Sequence, residues 1–417
     1  MLACGLDFGT SNTTLGLAMA NGPRLAALEG DKVTVPSAVF YGRDGAAAIG
    51  RAAMGRYAEG DDGRLMRSLK AVLGSPLIDE KTQIGRAAIG FRDVIGDFLA
   101  KVKARSEIDA GRPIEAVVLG RPVFFVDNDA RANDKAEAVL REVAHGIGFA
   151  EVSCQYEPIA AAFDYEQQVS GEEIALIADI GGGTSDFSIV RLSAERHRHA
   201  DRAADILAND GVRIGGTDFD RLLSLGELMP LLGYRSPMKK PGRDVPSGYF
   251  HELATWSSIN RLYNSRTLRE LQEVRREAAR PKLVDRLIRV IAEQRGHTLA
   301  MQTEEAKIAL SSADSVRVDL GWLEAALTTE ITVAGLVSHT AELARRIAAR
   351  IDICLEQAGL DIDDIDAVFM TGGSTRLPHV YRAIVAAAPG ARVVDGDTFG
   401  SVGTGLAIEA GRRYGHG

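Results

Sequence analysis

Short apolar runs bounded by Gly, Asn or Pro open the chain: CGLDF, TTLGLAM, PRLAAL and VTVPSAVFY are partly β-branched and read as strands separated by turns. From about residue 43 to 112 the composition shifts toward Gly, Arg and Asp around one helical stretch at Phe91 to Lys103, which reads as an insertion on a first lobe. The strand AVVLGRP (residues 116–122) leads to NDKAEAVLREVAHGIGF, where Val139, Leu140, Val143 and Ile147 recur at helical spacing behind an Asn cap. EPIAAAFDYE predicts a small-residue helix. Its Ala160, Ala161 and Ala162 either admit a close neighbour or simply favour helix.

Arg-rich helical patterns fill residues 225–311. There Leu283, Val284, Leu287, Ile288 and Ile291 share one face, and Pro281 marks a helix start. Most of those arginines read as a solvated face. Leu336, Thr340, Leu343, Ile347, Ile351 and Cys354 lie along one side of a helix over 336–358 that stops at Gly359. A strand AVFM, the turn TGGSTRLP, the segment VVDGD and a final helix SVGTGLAIEAG complete the chain. Strands alternating with helices predict an α/β protein, with its ligand between lobes or at strand ends.

One pattern is written twice. GLDFGTSNTTLGLA from Gly5 and IADIGGGTSDFSIV from Ile177 each give a strand, an Asp, a Gly-rich turn with Thr-Ser, and a second strand. Such a turn aims N–H groups and hydroxyls at one point and attracts phosphate oxygens without a basic side chain. The strand-end Asp7 and Asp179 would repel phosphate alone. They make sense with a divalent cation between, because Mg²⁺ is held by one or two carboxylates, waters and phosphate oxygens. Two copies 172 residues apart predict a duplicated lobe clamping a nucleotide.

At 417 residues two or more domains are expected, and 46% hydrophobic with 25% charged residues is ordinary globular composition. A formal net charge of −8 argues against nucleic-acid binding. Reaching Asp7 almost at once leaves no room for a signal peptide, and no run of ~18 apolar residues occurs, so a soluble, cytoplasmic protein is expected. Cys4, Cys154 and Cys354 are too far apart for a CxxC site and read as reduced core thiols.

DFGTSNT, DIGGGTSDFS, GGTDFD, EEAKIALSS and TGGSTRLP, in this order and from Gly5 to about Ala410, resemble the ATPase domain of the DnaK-type heat-shock chaperones, members of the actin and sugar-kinase superfamily. The resemblance implies the actin-like ATPase fold: two duplicated ribonuclease-H-like lobes around a nucleotide cleft, each with an inserted subdomain. Lobe I would cover 1–170, with an insertion at about 37–112 and a C-terminal helix at about 395–417 packing back on it. Lobe II would cover 171–394, with a helical insertion at about 219–311. ATP/ADP and Mg²⁺ are the implied ligands, with slow ATP hydrolysis as the implied activity.

Carried over residue by residue, Gly9, Thr10, Ser11 and Asn12 match the first phosphate loop, and Gly181, Gly182, Gly183 and Thr184 the second. Asp7 and Asp179 match the aspartates that hold Mg²⁺ mostly through waters. Lys70 resembles the family's catalytic lysine, and Glu157 matches the glutamate beside the phosphates. With Asp179 and Asp186, Thr184 would order the attacking water. Gly215 and Gly216 match a nucleotide-contacting turn. Glu304, Lys307 and Ser311, spaced for one helix face, match the positions that bracket adenosine. Gly372, Gly373, Ser374 and Arg376 match the turn on the base, where the arginine stacks on adenine.

The chain departs from the family in three places. The sequence stops at RRYGHG, so the resemblance leads us to expect a protein of the short YegD-type group, without the peptide-binding module of full-length chaperones. FGSVGTGLA stands where the family has DEAVAYGAA, removing a carboxylate expected near adenosine. The 225–311 segment aligns poorly before Glu304, which puts the family's exchange-factor surface in question. The expected partner is an unidentified client or partner protein, with no nucleic acid, no membrane and a monomeric state. An actin-like filament protein and a small-molecule kinase of the same superfamily are the alternatives.

Overall fold

The computed structural model describes residues 1–43, 45–84, 87–126, 129–166, 169–199, 201–394 and 400–415. They form two units, one of Met1–Arg213, Ala349–Thr375 and Ile384–Gly417, the other of Ile214–Ala348 and Arg376–Ala383.

The first unit carries two sheets with the same plan. In one, β1 (Ala3–Phe8), β2 (Asn12–Met19) and β3 (Gly22–Leu25) form an antiparallel meander, and β1 continues in parallel to β4 (Ala116–Arg121) and β5 (Glu151–Tyr156). Thr34–Pro36 also pairs with β2. In the other, β6 (Glu173–Ile180), β7 (Ser185–Leu192) and β8 (Ile206–Val212) form the meander, and β6 continues in parallel to β9 (Ala367–Thr371) and β10 (Arg392–Val394). The duplicated hairpins are thus the first two strands of two sheets with matching strand order. β1 and β4 are buried along almost their whole length, as parallel strands covered on both faces must be.

Glycine sets how closely helices approach the first sheet. A Cβ at Gly5 would overlap Leu406 of the C-terminal helix Ser401–Tyr414, and one at Gly405 would overlap the carbonyl of Ala160 in the helix Glu157–Glu166. The alanine stretch therefore does sit against a close neighbour. Asp395–Phe399 and the last two residues of the expected C-terminal helix, including the Phe399 that opens FGSVGTGLA, lie outside the described residues.

Two local expectations need correction. The amphipathic helix runs Ala130–Gly146, one turn earlier than expected, and is capped by Asp129, whose side chain accepts from the Ala132 N–H. Asn133 sits inside it and instead holds a loop, accepting from Phe125 and Val126 N–H and donating to the Val126 and Asp129 carbonyls. The helix in the early insertion extends over Phe91–Ala110, to a left-handed Gly111.

In the second unit, Pro281–Ala292 begins at its proline and buries Val284, Leu287, Val290 and Ile291, while Leu283 and Ile288 are half-buried. The hairpin of Ser315–Asp319 and Thr328–Thr332 was not foreseen. The helix Val333–Ala358 has residues in both units, and all six positions of its expected face are buried. Gly359 ends it at φ +66°. Cys4 and Cys354 are buried, Cys154 is half-buried, and all three are free thiols.

Candidate active site

The phosphate-loop residues lie together in the first unit. Asp7, one residue from the end of β1, faces Thr14 across the first hairpin, and Asp179 faces Asp186 across the second. The second turn closes where the Gly181 N–H donates to the Thr184 carbonyl at 2.9 Å. A Cβ at Gly182 would overlap the Ser11 hydroxyl, so the two Gly-rich turns face each other at a separation that only glycine permits.

Lys70 Nζ donates to Glu157 Oε1 at 2.6 Å, and both side chains are largely buried. Glu157 is the first residue of its helix, where a carboxylate is favoured by the helix dipole. Burial works against the Lys70 charge, but Glu157, Asp7 and Asp179 outweigh it and raise its pKa. The acids are pushed the other way from their ordinary charged form. Burial, then the Glu157 charge, lifts Asp7 to about 8 and Asp179 to about 6. Burial also lifts Asp186 to about 7 against the hydrogen bond from Thr184 Oγ1, at 2.8 Å. Asp186 is exposed to solvent within a cavity that Glu157, Asp179 and Thr371 also line.

Two supporting residues were missed by sequence reasoning. Ser37 Oγ donates to the Gly9 carbonyl at 2.6 Å and its N–H to the Ser11 carbonyl at 2.8 Å, fixing the first loop. Thr371, buried beside Asp179 in register, hydrogen-bonds its carboxylate. The only sequence signal was that Ser37 interrupts a strand run and that Thr371 precedes a Gly-Gly turn.

That turn docks on the second hairpin. Gly372 has φ +79°, and a Cβ there would overlap the Ile180 carbonyl and lie 2.6 Å from Asp179 Oδ1. Ser374 Oγ donates to the Gly181 carbonyl at 3.3 Å, while Gly373 begins the short helical turn Gly373–Arg376.

Gly215, Gly216, Glu304, Lys307, Ser311 and Arg376, expected from the resemblance to contact the nucleotide, belong to the second unit. Gly215 and Gly216 open the helix Gly216–Leu223, with the Gly215 N–H donating to Asp218 Oδ2 at 3.0 Å. Lys307 is buried, donates to the Gly216 carbonyl at 3.0 Å and pairs with Asp220 at 2.8 Å. Glu304 is half-buried on the same helix and Arg376 is exposed. Ser311 departs from expectation. The helix ends at Ala309 with Leu310 as its cap, and Ser311 lies in the following turn, its N–H donating to the Ile308 carbonyl, rather than on one face with Glu304 and Lys307.

The donor set fits a nucleotide with Mg²⁺. Two turns offer N–H groups and hydroxyls, and four carboxyls face one lysine, an excess of acid that a cation relieves. Among the described residues no three acidic, His or Cys side chains converge to hold a metal by themselves. A Mg²⁺ at Asp7 and Asp179 would therefore draw most of its octahedron from water and phosphate oxygens.

The Hsp70 protein family matches residues 3–225 and 282–414. The chain belongs to the Hsp70 family. Its fold is the actin-like ATPase fold of that family, whose members bind ATP or ADP with Mg²⁺. Among similar curated proteins are the proteins named Chaperone protein DnaK of Halobacterium salinarum strains R1 and NRC-1, each 26% identical over 386 residues. The alignments cover 91% of this chain and 51% of each relative, so the chain spans about half the length of these relatives. Residues 226–281 fall outside the Hsp70 match. No helix among the described residues is long and apolar enough to cross a membrane.

Proposed function

We propose that this Hsp70-family chain binds Mg²⁺-ATP between its two Gly-rich hairpins, hydrolyses it slowly, and passes its nucleotide state to a partner protein by closure of its lobes. The observation that carries this reading is the approach of the two turns around Lys70, Glu157, Asp7, Asp179 and Asp186. Phosphoryl transfer to water asks the protein mainly for charge neutralisation and an aligned nucleophile. When bound, Mg²⁺ offsets charge on the phosphate oxygens.

The chain's own groups do the rest. Lys70, kept protonated by the surrounding carboxylates, is the cation available to a terminal phosphate. The hydroxyl proton of Thr184 is committed to Asp186, so its oxygen accepts a hydrogen bond from water. Asp179, Asp186 and Glu157 supply further acceptors that orient the same water. Turnover is slow in this account because no histidine is among the described residues that line the cavity, and the acceptors orient the nucleophile more than they deprotonate it.

The Hsp70 match across both halves of the chain favours this reading over a filament protein or a small-molecule kinase. The proposed compartment is the cytoplasm and the proposed state a monomer. Equilibrium titration with ATP, with and without Mg²⁺, tests the site: Mg²⁺-dependent binding is expected, and no binding would refute it. Affinity capture with ATP, with ADP and without nucleotide tests the switch, which fails if the same proteins are recovered in all three.

A further inference from the structure

Most of the segment outside the Hsp70 match, residues 226–281, lies within a basic stretch of an acidic chain. Residues 235–295 hold 14 Lys and Arg against 7 Asp and Glu, while the whole chain carries −8. Several of these arginines are neutralised locally: Arg266 pairs with Glu270, Arg275 with Asp285, Arg286 with Glu324 and Arg289 with Glu293.

Six cations are different. Arg235, Lys239, Lys240, Arg243, Arg276 and Arg280 are exposed, and none has a carboxylate partner among the described residues. The backbone gathers them. Met238 bridges to Ala278, the Met238 N–H donates to the Arg243 carbonyl at 2.8 Å, and the Lys239 N–H donates to the Glu277 carbonyl at 2.7 Å. The Ala279 N–H donates to the Pro237 carbonyl at 3.0 Å, and Lys239 Nζ donates to the Arg276 carbonyl at 2.7 Å. Segments far apart in sequence are thereby tied into one pre-formed cationic patch, with only Asp244 and Glu277 as acids on the same stretches.

We propose that this patch docks a short acidic segment of a partner protein, independently of the nucleotide site. Four of the six cations are arginines, whose planar guanidinium groups take carboxylates two hydrogen bonds at a time. A local patch on a net-negative chain suits a short acidic peptide, since a long polyanion would run onto repulsive surface within a few Debye lengths. Single-strand nucleic-acid sites also interleave stacking aromatics with their cations; here the Tyr234 ring is already engaged, under Arg235 at 5.1 Å from its guanidinium carbon and packed against Phe250 and His251.

The test is anisotropy titration of a fluorescent Asp/Glu-rich peptide of about 12 residues with the full chain, beside an oligonucleotide of equal charge. The peptide should bind more tightly than the oligonucleotide and weaken between about 50 and 300 mM salt. Affinity should fall at least about tenfold in the triple variant Lys240→Glu, Arg243→Glu, Arg280→Glu, and by less than about twofold in Arg266→Gln, whose cation is already paired. Unchanged melting of the triple variant would tie its loss to the patch. Peptide binding that survives the triple substitution, tighter binding of the oligonucleotide, or no peptide binding would each overturn the proposal.

Discussion

Asp7, Asp179 and Asp186 lie around Glu157, and Lys70 is a cation whose charge acts on all three aspartates. Folded-state values of about 8, 6 and 7 stand above the ordinary 3.8 of an aspartate. The sign follows from linkage: a raised acid contributes stability that is fully present below its unfolded pKa and lost as the pH rises through its folded value. Without ligand, these three aspartates therefore lose their contribution between about pH 4 and 8. The melting temperature of ligand-free protein should fall from pH 6 to pH 8, and less steeply in Asp7→Asn, where a neutral amide replaces the most raised acid. An equal slope in the variant would contradict the assignment. Lys307 makes the opposite kind of prediction. Buried between Asp220 and the Gly216 carbonyl, it is a structural cation as well as a candidate adenosine contact. Lys307→Ala should destabilise the ligand-free protein by about 3–5 kcal/mol, because it removes the buried cation that pairs with Asp220. Denaturant unfolding reads this directly; a loss of nucleotide affinity at unchanged stability would reject it.

Among the elements, those whose cause is local were legible in the sequence. The two hairpins follow from Asp, Gly and Thr-Ser within a few residues, and the face from Leu336 to Cys354 follows from helical spacing alone. The cap of Ala130–Gly146 was misplaced because Asp129 and Asn133 are both capping residues one turn apart, and only the Phe125–Val126 loop, which occupies Asn133, decides between them. Ser311 was misplaced because spacing cannot show that the helix tightens into a turn after Leu310. Ser37, Thr371 and the Asp220 partner of Lys307 were illegible for one reason: each acts on a residue distant in sequence. The small-residue helix was half legible, since its composition permitted close approach but did not name Gly405. Gly405→Ala should lower stability by about 1–3 kcal/mol, because the new methyl overlaps the Ala160 carbonyl. Gly411→Ala on the same helix meets only Ala18 Cβ at 3.5 Å and should be neutral or stabilising by helix propensity. Thermal melts of the pair check this, and equal effects would contradict the packing argument.

In the first unit, two sheets of matching order bring their Gly-rich turns to one place, while the segment outside the Hsp70 match belongs to the second unit. Duplication accounts for two aspartates from different sheets, Asp7 and Asp179, lying within electrostatic reach of each other. The Hsp70 relationship supplies the expectation of ATP chemistry, and the geometry supplies named atoms on which to test it. The most direct measurement is single-turnover hydrolysis of Mg²⁺-ATP by the wild-type chain beside Lys70→Ala, with equilibrium ATP binding measured for both. The account predicts slow hydrolysis by the wild type and a loss of at least about 100-fold in the variant while ATP still binds, as expected when a cation acting on the transition state is removed. Hydrolysis at an undiminished rate in the variant, or tight binding without hydrolysis in either protein, would contradict it.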